Sequence, residues 1–190
     1  MTGFAHDMPF GASLRPDGTV LFRLWAPALD RVSLVIDAQA PIAMTAHGDG
    51  RFELATNAAR AGSAYAFELP NGLRVPDPAA RQQREDPHGP SVVVDPRGYQ
   101  WRHADWRGRP WNEAVLYELH TGTFTNSGDF DGIRRKLDWL AKLGITAIEL
   151  MPVADFPGKR NWGYDGVLPF APDRSYGTPD QLKALIDAAH

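Results

Sequence analysis

The sequence predicts a chain of mixed class, all-β first and α/β second. Two patterns carry that reading. From Phe10 to about Leu69, short alternating apolar runs are separated by breaks rich in glycine, aspartate and asparagine, as in a small β-sandwich. From Ala114 onward, two apolar strand-like runs alternate with two helix-period segments, and a βαβα order predicts a parallel sheet covered by helices. A proline-rich stretch lies between them. The expected domains are therefore a sandwich over 1–75, a connector over 76–110 and an α/β unit over 111–190.

In the first part, Thr19 to Trp25 alternates and stops at Ala26-Pro27. Arg31 to Ile36, Pro41 to Thr45, Arg51 to Ala55 and Ser63 to Leu69 follow as further strands. Asp17-Gly18 and Gly48-Asp49-Gly50 punctuate them, and Asn71-Gly72 reads as a tight turn into Leu73-Arg74-Val75, with Pro70 limiting the pairing. Trp25 is expected in the sandwich core or at a domain interface. In the connector, Pro76, Pro78, Pro87, Pro90, Pro96 and Pro110 rule out long regular elements. Trp101, Trp106 and Trp111 recur every five residues, which is neither helix nor strand period. They are expected as plugs packing the connector onto both neighbours, the alternative being a row that stacks on sugar.

In the second part, Ala114 to Leu119 is an almost continuous apolar run, expected as a buried strand. Ile133, Leu137, Leu140 and Leu143 then step along one face of an expected helix, capped by Asp129 or Asp131 and ended by Gly144. Ala147 to Met151 is the second buried strand, and the crossover between the two should be right-handed. Thr178-Pro179 starts a last helix carrying Leu182, Leu185, Ile186 and Ala189. Between Pro152 and Thr178 runs a long irregular segment bearing Trp162, Tyr164, Phe170 and Tyr176. A long aromatic loop between a strand and a helix is where α/β enzymes place ligand contacts.

The totals bound the function. A net charge of −3 argues against a nucleic-acid binder. The absence of cysteine excludes a disulfide framework, a thiolate metal site and a Cys nucleophile, and fits a reducing compartment. The first residues lack a basic start and an apolar run, and no stretch approaches the about 18 apolar residues of a membrane span. A cytoplasmic protein with no membrane partner is expected. The six histidines are scattered without ligand spacing, so no metal and no cofactor is expected. No glycine-rich phosphate loop and no nucleophile elbow is present.

The segment Trp106 to Phe124, with Glu118-Leu-His-Thr-Gly-Thr-Phe124 at its end, resembles the malto-oligosyltrehalose trehalohydrolase family of the α-amylase superfamily. So does Ile148 to Gly166, with Arg160-Asn-Trp-Gly-Tyr-Asp-Gly166 at its tip, followed by Phe170-Ala-Pro and Tyr176-Gly-Thr-Pro-Asp180. Asp77-Pro78, Arg81-Gln82 and His88-Gly-Pro-Ser91 are similar to that family's connector, and Phe10-Gly-Ala through Trp25-Ala-Pro27 to its N-terminal sandwich, which branching enzymes and isoamylases share. The Trp-Gly-Tyr and Tyr-Gly-Thr-Pro parts are common to the superfamily.

The resemblance implies an immunoglobulin-like, carbohydrate-binding-module-like β-sandwich followed by the first two βα units of a (β/α)8 barrel. Such a barrel takes about 250 residues, whereas Trp111 to His190 is 80, so an N-terminal portion of the enzyme is expected. The family's catalytic carboxylates follow the fourth, fifth and seventh strands, and no catalytic residue is expected in this chain. Glycoside hydrolysis needs two carboxylates flanking one bond. Glu118, Glu149, Asp155, Asp165 and Asp173 lie near the expected barrel mouth, where hydrogen bonding and loop anchoring are their expected duties. For substrate, the resemblance implies Tyr164 as a stacking floor under a sugar. Trp162 is expected as a wall, and Asn161, Asp165 and His120 as contacts to hydroxyls or to the cleft. Tyr176 is expected to pack the loop. The implied partner is an α-glucan or maltooligosyl trehalose, cleaved at the α-1,4 bond beside a terminal trehalose. The alternatives are a branching or debranching (isoamylase-type) glucan enzyme and a non-catalytic glucan-binding module.

Overall fold

In the computed structural model, which describes residues 8–190, alternating burial builds the first half. Its strands are β1 (Gly11–Leu14), β2 (Val20–Trp25), β3 (Ser33–Ile36), β4 (Ile42–Ala43), β5 (Thr45–Ala46), β6 (Arg51–Thr56), β7 (Ala64–Glu68), β8 (Arg74–Val75) and β9 (Ser91–Val92). One antiparallel sheet has the order β1-β2-β6-β5, and the other β4-β3-β7-β8 with β9 also pairing to β7. Val20, Phe22, Leu24 and Phe52 from the first sheet meet Leu34, Ile36, Tyr65 and Phe67 from the second in one core. Phe22 meets Tyr65 edge-on, with ring centroids 4.8 Å apart. The Asn71-Gly72 turn joins β7 to β8 in the register Glu68↔Arg74.

Two expectations change here. Trp25, expected in the core or at a domain interface, is 59% exposed at the end of β2, where its Nε1 donates to the Asp49 carbonyl at 3.3 Å, so it is not a core residue. Residues read as connector are woven into the second sheet. β9 pairs with β7, Val93 enters the core, and Gln83, Ser91 and Asp77 are buried beside it. Proline leaves too few backbone donors for a long strand, but two residues are enough for this ladder.

A 3-10 turn (Trp111–Glu113) precedes β10 (Leu116–Leu119), α1 (Thr121–Phe124), α2 (Phe130–Arg134), α3 (Leu137–Leu143), β11 (Ala147–Leu150), β12 (Ala154–Asp155), β13 (Leu168–Pro172) and α4 (Pro179–Ala189). β10 and β11 pair in parallel, Leu116↔Ala147 to Leu119↔Leu150. Leu119, Phe130, Ile133, Phe156, Tyr176 and Leu185 form a second core beneath them. Three expectations fail. β10 and β11 are not buried strands: Val115 and Leu116 are half exposed, because no described residue covers the face that bears Leu116 and Glu118. The single expected helix is two, broken at Arg135-Lys136, and only α2 has a side-chain cap, Asp129 accepting from Gly132 N at 2.6 Å. The irregular segment contains an antiparallel pair, β12 with β13. The tryptophans of the connector do not act as a set. Trp111 is 82% exposed, Trp106 stacks flat on His190 at 3.8 Å, and Trp101 meets Tyr99 edge-on.

Candidate functional site

The loop between β11 and α4 is held by three devices. First, Asn161 is tied to the end of β10. The imidazole Nε2 of His120 lies 2.6 Å from the Asn161 carbonyl, so Nε2 carries the proton and donates. Nδ1 is then the acceptor for the Thr123 hydroxyl, at 3.3 Å. Tyr176, 3% exposed, brings its hydroxyl to 3.3 Å from the same Nε2 and packs on Phe130 and Phe156. Burial, then the negative charge of Asp173, raises the Tyr176 phenol above its ordinary pKa, so it stays neutral.

Second, glycines let the loop touch the strand exit. Gly163 sits at φ +105°, and a Cβ there would come 2.9 Å from the Pro152 carbonyl oxygen; at Gly166 it would come 2.6 Å from the Ala154 Cβ. The Asn161 side-chain oxygen accepts from the Gly163 amide, an Asx turn that fixes the tip.

Third, Asp173 closes the base. Its carboxylate accepts from the amides of Phe156 (3.1 Å) and Ser175 (2.7 Å) and from the Ser175 hydroxyl. Asp155, 1% exposed, lies in the same base with neither oxygen hydrogen-bonded. Burial, and after it the charge of Asp173, pushes its pKa to about 7.

With Gly163 and Gly166 pinned, the residues between and beside them point outward. Trp162 is 80% exposed and Tyr164 70%. Asp165 is also exposed, and Asn161 is half-buried with its side-chain nitrogen unpartnered. Of the five residues expected to contact substrate, His120 and Asn161 are joined directly, whereas Trp162, Tyr164 and Asp165 share the exposed tip. Glu118 and Glu149 face each other in register across β10 and β11, both exposed. Like charges directly opposite are unfavourable, and they stand on the uncovered face of that pair. Among the described residues no group of three or more His, Asp or Glu side chains is arranged to hold a metal. No helix there is long and apolar enough to cross a membrane.

The coupling of Tyr176 to His120 across 56 residues, and the orphaned Asp155, were not expected. Neither has a local sequence signal, since both come from loop closure.

Residues 99–190 match the catalytic domain of the α-amylase family. A malto-oligosyltrehalose trehalohydrolase of Saccharolobus solfataricus is 42% identical over 96% of this chain and 32% of its own length. One from Deinococcus radiodurans is 41% identical over 98% of this chain and 30% of its own. A 1,4-alpha-glucan branching enzyme of Ralstonia nicotianae is 34% identical over 90% of this chain and 25% of its own. In structure, the chain superimposes on a Salmonella typhimurium protein described as an alpha amylase with a TM-score of 0.94 and 50% identity, covering 97% of this chain and 32% of that one. The chain spans about a third of the length of the curated relatives it matches, a share that fits an N-terminal portion. The resemblance read from the motifs therefore holds: over nearly its whole length the chain is similar to malto-oligosyltrehalose trehalohydrolases, glycoside hydrolases of the α-amylase superfamily.

Proposed function

We propose that these residues are the N-terminal portion of a glycoside hydrolase that cleaves the α-1,4 bond beside the terminal trehalose of maltooligosyl trehalose. In this reading the two β-sheets are an immunoglobulin-like sandwich and the β10–α4 region is the first two βα units of a (β/α)8 barrel. The loop tip supplies binding surface. The retaining pair of carboxylates comes from residues beyond these 190, so the chain alone is inactive.

One observation carries the substrate role. Trp162 and Tyr164 hold large aromatic faces in solvent at a tip too constrained to fold them away. Exposed aromatic area is costly unless a ligand covers it, and the apolar C–H face of glucose stacks on such rings while the phenol still hydrogen-bonds. His120, tethered to the Asn161 carbonyl, positions that tip. Asp165 at the exposed tip is available to sugar hydroxyls, whereas the unpartnered Asn161 amide nitrogen is buried beneath it and would reach a hydroxyl only if its side chain turned outward.

The test is Tyr164→Ala in the full-length enzyme with maltooligosyl trehalose as substrate. kcat/KM falls at least about tenfold, a loss of about 1.4 kcal/mol in transition-state binding, with the melting temperature unchanged. A milder loss removes the stacking role. The branching-enzyme relative sustains a second reading. Free trehalose among the products supports the first, and new branch points on a linear glucan support the second. Binding of maltoheptaose without hydrolysis by any full-length form would instead favour a glucan-binding module.

A further inference from the structure

The second sheet carries a hollow on its outer side, separate from the aromatic loop. Leu34, Ile36, Tyr65 and Phe67 point into the core, so the alternate residues of β3 and β7 point outward. There Val35 lies opposite Ala66, and small side chains leave a cavity of about 440 Å³. That volume falls in the range of small-molecule sites, about 300–1,000 Å³. Its walls bear Asp37, Arg74, Arg84 and His88.

The wall residues are presented on ordered backbone. Arg84 N donates to the Pro90 carbonyl at 3.0 Å, Gly89 N to the Asp86 carbonyl at 2.8 Å, and His88 N to the Asp86 carboxylate at 3.0 Å. Gln83, 1% exposed, donates from its side chain to the carbonyls of Pro87 and Gly89, both at 3.2 Å. The loop that carries Arg84 and His88 is thus fixed before any ligand arrives, which lowers the ordering cost of binding.

The basic side chains keep donors to spare. No described residue makes a side-chain hydrogen bond or ion pair with Arg84 or His88. Arg74 gives only Nε to Glu68, at 3.0 Å, leaving both terminal guanidinium nitrogens. Asp37 accepts from Ala64 N through Oδ1 at 2.9 Å, and its Oδ2 accepts nothing from a described residue. An apolar floor, two guanidiniums with free forks, an imidazole and one free carboxylate oxygen form a specific set of complements. The forks match a phosphate, the free Asp37 oxygen matches a hydroxyl donor, and the floor matches a compact carbon body.

We propose that this hollow binds a small phosphorylated sugar, with the phosphate on Arg84, Arg74 and His88 and a hydroxyl on Asp37. The site is independent of the glycoside-hydrolase reading. It is tested by calorimetric titration of the 190-residue protein at neutral pH and low salt with glucose 6-phosphate, inorganic phosphate and glucose. Glucose 6-phosphate binds, inorganic phosphate binds at least about tenfold more weakly, and glucose gives no heat. Arg84→Ala weakens glucose 6-phosphate by about tenfold or more, the scale of a charged hydrogen bond. Its melting temperature stays unchanged, because Arg84 is exposed and its side chain holds nothing in place. Absence of heat with glucose 6-phosphate, equal binding of inorganic phosphate, equal binding of glucose, or an unaffected Arg84→Ala variant would each overturn the proposal.

Discussion

Both oxygens of Asp155 are buried without a hydrogen-bond partner, beside Asp173, whose carboxylate accepts from the amides of Phe156 and Ser175. Two adjacent carboxylates cannot both ionise cheaply away from water, and the unbonded one takes the proton. Its pKa is about 7 in the folded chain against 3.8 for a free aspartate. The sign follows. Between those two pH values the folded state keeps a proton that the unfolded chain has released, so stability falls as pH rises from about 4 to about 7 and is level above that. Asp155→Asn removes the titration while keeping the shape. Its melting temperature relative to wild type therefore climbs from pH 4 to pH 7 and then stays constant. Parallel curves across that range would mean that Asp155 ionises normally in the fold. At this scale the sequence offered only a list of acids, with Asp155 among five. Which of them lacks a partner depends on Phe156 and Ser175 turning their amides to Asp173, and no local pattern encodes that choice.

At the scale of the element, the reading of the sequence succeeded where the signal is local and failed where a neighbour decides. The start of α4 is local. Thr178 accepts from Gln181 N at 3.2 Å and Gln181 Oε1 accepts from Thr178 N at 2.8 Å, a reciprocal capping box with Pro179 in the first turn. Thr178→Ala costs about 1 kcal/mol, measured as a shift in the denaturant midpoint of the β10–α4 region; no shift would show that packing of Leu185 alone sets the helix start. Gly144, at φ +95°, ends α3 where the sequence places it. The break between α2 and α3 was not legible, since Ile133, Leu137 and Leu140 keep helical spacing straight through it. Nor was β12 with β13, whose pairing is irregular between Ala154 and Asp155. The exposure of β10 and β11 was missed for another reason. Apolar sequence marks a strand as meant for burial, but burial needs a second layer, and these strands have one face without it. The tip residues Trp162 and Tyr164 stood out as aromatic loop residues, whereas the His120–Asn161–Tyr176 contacts that hold the tip did not.

Across the whole molecule, two separate cores are linked through residues 94–110, and Asp187 ties that stretch to α4. Asp187 of α4 has a fully buried carboxylate that accepts from the amides of Arg102 (3.1 Å) and His103 (3.0 Å), from the Tyr99 hydroxyl (3.0 Å) and from Arg102 Nε (3.2 Å). The His103 imidazole donates to the Asp187 carbonyl at 2.7 Å. Burial alone would push this carboxyl up, but the hydrogen bonds outweigh it and hold it well below the ordinary range. Its contribution is therefore present above pH about 4 and fades as pH falls further. This clamp straps residues 99–103 across α4. The apolar surface left open nearby, at Leu116, Trp139 and Leu143, makes the β10–α4 region the weaker half. Five of the six tryptophans lie after residue 100, so their fluorescence follows that half, while amide hydrogen exchange in β2, β3, β6 and β7 follows the two β-sheets. In urea, the fluorescence midpoint comes before the midpoint for loss of amide protection in those strands. Asp187→Ala removes the clamp at a cost of about 2 kcal/mol, lowers the fluorescence midpoint and leaves the later one in place. Coincident transitions in both proteins would instead show that the two cores unfold as one unit and that the clamp is only part of a continuous interface.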